Sequence, residues 1–373
     1  MIITRRRFPA ACAGTAAALG SQTGSAAAPA SAGPIEQRNE AYSQELERYF
    51  RAQLVEEYPG RAAKLWRRSY TSVAAFQRSV EPNRERYRAM FAPPAFERTG
   101  PAERQASAAI PGLEWITIPL GPLKAEALVA FPETRFQPAP LVVAQHGIRS
   151  SPERVFGLND PTQLYHDYGH ALVNAGFAVV APFNLAGVAQ RNRIERLARL
   201  ANTTLPGIEL ARLQVLLDEL LLDKRINPDR VGMWGISLGG MATMFWMPLE
   251  PRIHCGVVAA WFNHRRNKMV IPDKRYSCFL ETPEEHAFFR GWLTEFTDSD
   301  VVSLICPRPL LVQTGKKDGI AWWPQVIEEF EAAKEHYRKL GIQDRIEIDL
   351  HDGGHEVRLD SGLAFLKKWL MRA

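Results

Sequence analysis

The feature that most restricts the fold is a regular alternation of short apolar runs with longer amphipathic segments, beginning near residue 113. Short apolar runs are typical of buried strands, and apolar residues three or four positions apart are typical of one helix face. Strands that alternate with helices pair in parallel, because each helix carries the chain back along the sheet. The pattern therefore predicts an α/β class, with a mostly parallel doubly wound sheet and helices on both faces. The predicted strands are 113–118 and 124–131, which form an opening hairpin, then 141–144, 177–182, 230–234, 256–261, 309–313 and 345–350.

The region before this alternation predicts a helical extension rather than a second sheet. Leu46, Phe50 and Leu54 follow helical spacing among many charges, and Pro59 and Pro82 interrupt the pattern. We expect two or three helices here, followed by a proline-rich linker. The predicted parts of the chain are an N-terminal segment at 1–32, a helical extension and linker at 33–110, and a main domain at 111–373 with an insertion at about 262–300.

The first 32 residues resemble a twin-arginine export signal. Arg5, Arg6 and Arg7 form a basic start, and a weakly apolar stretch at about 10–19 follows, which is too short to anchor in a bilayer. Small residues at 28–32 would suit cleavage. We therefore expect export to the periplasm or the cell exterior without a stable membrane anchor; a disordered alanine-rich N-terminus is the alternative.

The charge balance gives no reason to expect a polyanionic partner. The formal net charge is +5, and the three arginines of the export segment contribute to it. Their removal leaves about +2, which is too little to favour binding to nucleic acid.

Gly235-Ile236-Ser237-Leu238-Gly239 has the G-x-S-x-G spacing of a serine nucleophile. This spacing arises by chance in roughly one chain of this length in ten, so its context matters. A predicted strand runs into the motif and a predicted helix, 238–247, leaves it, as a nucleophile on a strand-to-helix turn requires. A serine hydroxyl also needs a base to take its proton and a third group to orient that base.

Two loops further along the chain carry suitable partners for Ser237. Asp318 follows the predicted strand 309–313, and His355 follows 345–350. Both loops leave the carboxyl edge of the sheet, where open α/β folds place their sites. The chain order Ser237, Asp318, His355 is that of α/β-hydrolases. The sequence leaves Asp298 and Asp300 as alternative acids and His351 as an alternative base.

Further segments strengthen this pattern. They are Ile305–Leu311 continuing to Asp318, then Asp344–Ile346 and Gly353–Glu356. With them, the chain over about 110–373 resembles an α/β-hydrolase of the dienelactone-hydrolase and acetyl-xylan-esterase-like group. The resemblance implies ester hydrolysis through an acyl-enzyme, with no metal or organic cofactor.

The same resemblance implies an oxyanion hole. His146 and Gly147 follow a predicted strand as the oxyanion loop of the family does. The backbone N–H groups of Leu238 and of Ile148, or alternatively Gly147, would hold the oxyanion. We expect His146 itself to be a structural histidine.

The insertion at 262–300 is rich in aromatic residues, which are candidates for the walls of a substrate pocket. We predict substrate contacts for Trp261, Phe262 and Trp322. A basic run in the insertion could meet an acidic sugar, but a solvated basic face is the favoured interpretation; it consists of Arg265, Arg266 and Lys268.

Three cysteines follow the export segment, so at least one thiol is unpaired within a monomer. Cys255 lies in an apolar run and is expected to be buried. A disulfide between Cys278 and Cys306 is possible, and the sequence alone does not decide whether it forms.

Three classes of function fit these features. The favoured one is an exported carboxylic ester hydrolase acting on a small-molecule or carbohydrate ester, which includes acetyl esters of carbohydrates and dienelactone-type lactones. A prolyl-oligopeptidase-like peptidase shares the order of catalytic residues, but the N-terminal extension is too short for a propeller domain. The third is a non-catalytic binding module, for which a missing catalytic residue would be the sign, and none is missing.

Overall fold

The computed structural model describes residues 33–133 and 138–371. Contacts divide the chain into a unit over 1–48 and a unit over 49–373. Within the first, the described residues belong to helix α1, Pro34–Arg51, whose last residues lie in the second unit. The predicted export segment lies outside the described residues.

A mixed sheet of nine strands organises the described part of the second unit, in the order β1-β2-β3-β5-β4-β6-β7-β8-β9. The strands β5, β4, β6, β7, β8 and β9 run parallel, and β1, β2 and β3 add an antiparallel edge. The strands are β1 Glu103–Ala106, β2 Glu114–Leu120, β3 Leu123–Ala130, β4 Ala139–Gln145, β5 Ala178–Pro182, β6 Ile226–Ile236, β7 Ile253–Ala259, β8 Leu310–Gly315 and β9 Ile346–His351.

Helices cover both faces of this sheet, which confirms the predicted doubly wound architecture. Alternate residues of β4 point to opposite faces: Leu141 and Val143 belong to one apolar cluster, and Val142 and Ala144 to another. The helices after α1 are α2 Tyr58–Leu65, α3 Val73–Phe91, α4 Pro152–Val155, α5 Tyr168–Asn174, α6 Val188–Leu200, α7 Leu205–Leu220, α8 Leu238–Trp246, α9 Arg265–Val270, α10 Trp292–Glu295, α11 Asp298–Ile305, α12 Trp323–Lys339 and α13 Leu359–Leu370, with a π-helical turn at Ala52–Glu56.

The helical extension contributes directly to the core. Phe76, Val80 and Phe91 on α3 are fully buried in the same apolar cluster as β4 and β6. The predicted break at Pro82 is wrong, because Pro82 lies inside α3 on its exposed side. Burial of the opposite face stabilises the helix despite the hydrogen bond that proline cannot donate.

The fold brings the ends of three parallel strands to one edge. Ser237 follows β6, Asp318 follows β8, and His355 follows β9. Cys255, Cys278 and Cys306 are buried free thiols, so the possible Cys278–Cys306 bridge is not formed. No helix within the described ranges is both long enough and apolar enough to cross a membrane.

Candidate active site

The turn at Gly235–Gly240, here called the elbow, presents Ser237 between β6 and α8. Ser237 has φ 59° and ψ −118°, a conformation that non-glycine residues rarely adopt. A Cβ on Gly235 would lie 2.1 Å from the carbonyl oxygen of Gly239, and one on Gly239 would lie 2.1 Å from that of Gln145. Neither position has room for a side chain, so both glycines of the motif are required by backbone contact. The Ser237 N–H donates to the Ala259 carbonyl of β7 at 2.9 Å, which holds the turn against the sheet.

The structure brings His355 and Asp318 into direct contact. The His355 Nδ1–H donates to Asp318 Oδ2 at 2.9 Å, and the Asp318 carboxylate is buried. Its other oxygen, Oδ1, accepts the N–H of Ile320 at 3.0 Å. The two loops are joined as well, since the Lys317 N–H donates to the Gly353 carbonyl at 2.9 Å. Asp318 is therefore fixed by its own loop and aimed at the imidazole.

The alternative acids have other partners. Asp298 is fully buried in an ion pair with Arg265 at 2.9 Å. Asp300 pairs with Arg68 at 2.5 Å and accepts a hydrogen bond from Tyr58. Both carboxylates belong to the contacts of the insertion rather than to His355.

The alternative base, His351, has a local role. Its Nδ1 accepts the Gly353 N–H at 3.2 Å, and its side chain is buried. The ring thus shapes the turn that leads to His355.

A cavity of about 220 Å³ opens beside the elbow. Ser237 and His355 both line it, and so do the predicted oxyanion residues Ile148 and Leu238. Of the predicted substrate residues, Trp261 and Phe262 line the cavity as well. Trp322 is not among the described residues that line it; the guanidinium of Arg275 lies 3.8 Å from the centre of its ring.

The oxyanion loop lies next to the elbow. A Cβ on Gly147 would be 3.3 Å from the Ser237 Cβ. The Gly147 N–H is already used, because it donates to the Tyr165 hydroxyl at 2.8 Å. Leu238 is the first residue of α8, so its N–H has no acceptor within the helix. Of the three predicted oxyanion donors, Gly147 thus has its N–H bound to another residue.

His146 is buried behind this loop, as expected for a structural histidine. Its Nδ1 lies 2.9 Å from the Gly147 carbonyl, and its Nε2 accepts the Asn184 N–H at 3.3 Å. Burial lowers the pKa of His146 to about 4, so the ring is neutral at ordinary pH.

The expectation of a solvated basic face is wrong for Arg265 and Lys268, which are buried at the cavity wall. Lys268 Nζ donates to the carbonyls of Ser277 and Ile320, each at 2.5 Å, and to the Ser277 hydroxyl at 2.7 Å. Burial lowers the pKa of Lys268 to about 8. Arg266 is part-buried and donates to the Val55 carbonyl at 2.9 Å. These side chains stabilise the insertion because each finds an acceptor that the sequence pattern did not reveal.

Glu284 supplies an acidic group to the same cavity. Burial raises the pKa of its half-buried carboxyl, while the nearby Lys268 opposes that effect. Sequence reasoning did not single out Glu284, because it lies in an insertion without a motif. Only the folding of the insertion over the elbow brings it to the site.

No family model matches the chain. A curated relative, the inferred hydrolase YtaP of Bacillus subtilis (strain 168), is 24% identical over 263 residues, covering 66% of this chain and 84% of that protein. Among solved structures, an inferred acetyl xylan esterase from Bacteroides fragilis has a TM-score of 0.62 and 18% identity, with 81% of each chain covered. A CE15 glucuronoyl esterase from Caldicellulosiruptor kristjansonii has a TM-score of 0.58 and 17% identity, covering 81% of this chain and 87% of its own. Together with the strand order and the elbow, these similarities show that the chain has the α/β-hydrolase fold, as its sequence pattern predicts.

Proposed function

We propose that this protein is a serine hydrolase that cleaves carboxylic esters through Ser237, His355 and Asp318. The observation that carries the proposal is the contact between His355 and Asp318 beside a cavity that Ser237 lines. A serine on a strained turn, a histidine and a buried carboxylate at one sheet edge form the arrangement that acyl transfer needs. The names of the similar proteins, which are hydrolases and esterases, support the same reaction class.

In the proposed mechanism, the Ser237 hydroxyl attacks the ester carbonyl while His355 takes its proton. Asp318 orients the imidazole through Nδ1 and stabilises the imidazolium that forms. The N–H groups of Ile148 and Leu238 hold the developing oxyanion, an interaction whose loss typically costs about 10²–10³ in rate. His355 then returns the proton to the departing alcohol, and water attacks the acyl-enzyme to release the acid.

The cavity favours a small substrate over a long-chain fatty ester. Its volume of about 220 Å³ suits a short acyl group or one sugar unit. On its wall, the Glu284 carboxylate can accept hydrogen bonds from hydroxyl groups, and the Asn263 amide can donate hydrogen bonds to them. We therefore propose esters of acylated carbohydrates as the substrate class, in keeping with the carbohydrate esterases among the similar structures.

The decisive experiment replaces the nucleophile. Ser237→Ala should lose nearly all turnover of 4-nitrophenyl acetate and should no longer be labelled by a fluorophosphonate. Ser79→Ala is a matched control, because that hydroxyl donates to the Phe76 carbonyl within α3, and it should keep wild-type activity. A Ser237→Ala variant with a tenth of the wild-type rate would contradict the proposal.

Substrate profiling separates the competing functions. Wild-type enzyme should hydrolyse acetylated sugars faster than simple lactones and should leave an aminoacyl-proline chromogen intact. Cleavage of that chromogen would instead favour a peptidase. Inertness towards every substrate, without fluorophosphonate labelling, would favour a binding module.

Export through the twin-arginine route also belongs to the proposal. Replacing Arg5, Arg6 and Arg7 by lysine should keep the protein inside the producing cell, because the receptor of this route reads the arginine pair. Fractionation followed by immunoblotting measures the outcome, and unchanged release would argue against the route.

A further inference from the structure

Residues 160–167, here called the bridging segment, lie between α4 and α5 and contact two loops of the active site. The segment has an unusual backbone, since Gln163, His166 and Asp167 have φ of 52°, 49° and 52°. Such conformations persist in non-glycine residues only where surrounding contacts hold them. Asp160 provides one of these contacts, because its carboxylate accepts the Tyr165 N–H at 2.9 Å. The segment is thus fixed in one shape.

At one point the bridging segment holds the oxyanion loop. The Tyr165 hydroxyl accepts the Gly147 N–H at 2.8 Å, and Tyr165 is only 4% exposed. That contact fixes the peptide just before Ile148. Next along the chain, the Tyr168 hydroxyl donates to the carbonyls of Gln145 at 3.2 Å and Trp234 at 3.4 Å. The ends of β4 and β6 are therefore held from the same side.

At a second point the segment holds the loop of the general base. The His166 Nε2–H donates to Glu356 Oε2 at 2.7 Å, and the Val357 N–H donates to the Leu164 carbonyl at 2.9 Å. Glu356 and Val357 directly follow His355. These contacts hold the chain on the C-terminal side of His355, while the Lys317–Gly353 hydrogen bond and the His351 ring hold it on the N-terminal side.

We propose that Tyr165 and His166 are positioning residues, an inference that rests on the proposed function. They fix the positions of the oxyanion donor and of the general base relative to Ser237. Neither contacts the reacting atoms. Tyr165 acts through the backbone of Gly147 and Ile148, and His166 acts through Glu356. Because the two residues are adjacent in the chain, a displacement at either contact is transmitted to the other.

The size of the effect follows from the sensitivity of acyl transfer to geometry. A misplacement of about 1 Å can cost about 10² in rate. The contact with Asp318 orients the His355 ring but does not set the distance from that ring to the oxyanion loop. The bridging segment contacts Gly147 of the oxyanion loop and the two residues that follow His355, so it contributes to setting this distance.

The test measures kcat and KM for 4-nitrophenyl acetate in Tyr165→Phe, His166→Ala and the double variant. Each single variant should lose about tenfold in kcat with KM within about twofold of wild type, since alignment and not binding is affected. The double variant should lose clearly less than the hundredfold product, because both contacts act through one segment. His166→Gln, which keeps a donor for Glu356, should recover most of the rate.

Two controls separate positioning from general loss of stability. Tyr337→Phe removes a hydroxyl that donates to the Arg308 carbonyl at 2.8 Å, at the end of β8 opposite to Asp318. His254→Gln alters another histidine, at the start of β7, whose Nδ1 accepts the Val231 N–H at 3.4 Å. Both should keep wild-type kcat even where their melting temperature falls. If His166→Ala does not fold, Glu356→Leu tests the same contact, because leucine is similar in size and cannot accept the His166 N–H.

Several results would overturn the inference. Wild-type kcat in Tyr165→Phe and His166→Ala would do so, as would an effect on KM alone. A hundredfold loss in the double variant would show that the two contacts act separately. These outcomes are distinct from failure of the proposed function, which would appear as an active Ser237→Ala enzyme.

Discussion

At the elbow, Gly235–Gly240, the backbone is fixed by the neighbouring strands, whereas in the insertion, 262–300, the fixing contacts come from the distant N-terminal helices. The Glu295 carboxylate of the insertion accepts from Asn83 at 2.6 Å and from Arg86 at 2.7 Å, both on α3 and more than 200 positions away. The elbow can be recognised in a single sequence, because its glycines are needed locally. The insertion cannot, because some of its charged residues, Glu295 among them, meet their partners only on a remote part of the chain.

The largest expected effect lies at the elbow. Gly239→Ala should give no folded enzyme, because the new Cβ would lie 2.1 Å from the Gln145 carbonyl oxygen and neither backbone can yield without opening the sheet. Gly319→Ala is the matched control, since a Cβ there meets nothing within 4 Å. Circular dichroism and soluble yield measure the outcome. A folded Gly239→Ala enzyme would mean that the elbow is less rigid than its contacts indicate.

The second effect is on chemistry. Asp318→Asn should lower kcat about 10⁴-fold, because the amide cannot stabilise the imidazolium and favours the wrong tautomer. Asp352→Asn, on the next loop and paired with Lys316 at the surface, should change kcat little. Stopped-flow or steady-state assays are sufficient. A loss below about tenfold would mean that Asp318 is not the acid that supports His355.

The third effect should change stability more than chemistry. Asp298→Asn leaves the fully buried Arg265 without its ion pair, and breaking such a pair typically costs about 3–5 kcal/mol. Denaturant unfolding measures the loss, and kcat per folded molecule should fall far less than in Asp318→Asn. The control, Asp273→Asn, loses a pair with the exposed Arg275 and should change stability far less, because solvent screens surface ion pairs.

The smallest effect depends on pH. Burial lowers the pKa of Lys268 to about 8, while the unfolded chain keeps this proton up to about pH 10.4. Between these pH values the Lys268 amine binds more protons in the unfolded state than in the folded state. The contribution of Lys268 to the free energy of unfolding therefore rises with pH. The stability of wild type relative to Lys268→Met should therefore increase by about 1–3 kcal/mol between pH 7.5 and pH 10.

Urea unfolding at several pH values tests this trend. Lys316→Met, which removes a partly exposed lysine, should show no comparable change relative to wild type. If the difference in stability between wild type and Lys268→Met does not change with pH, water reaches the ammonium group more freely than its burial indicates.

Long-range packing explains where sequence reasoning fell short. The period of the apolar runs predicted the parallel strands and the helix that leaves the elbow, since those features depend on local pattern. The same reasoning placed a break at Pro82 and a solvated face at Arg265 and Lys268. Both errors have one cause: burial against remote elements overrides local propensity and supplies partners for charge. The predicted substrate contact of Trp322 stays a prediction; its ring lies under Arg275 and is not part of the described cavity lining.

The sequence by itself determined the α/β-hydrolase class, the turn that presents Ser237, and the loops that carry Asp318 and His355. These follow from periodicity, from glycines at close approaches and from residue order, all of which are local or one-dimensional. Only the tertiary structure decided which carboxylate meets the imidazole, which polar groups line the cavity, and how the bridging segment reaches both loops. Those relations depend on distances between side chains far apart in the chain, which are set by the packing of the whole sheet and its helices.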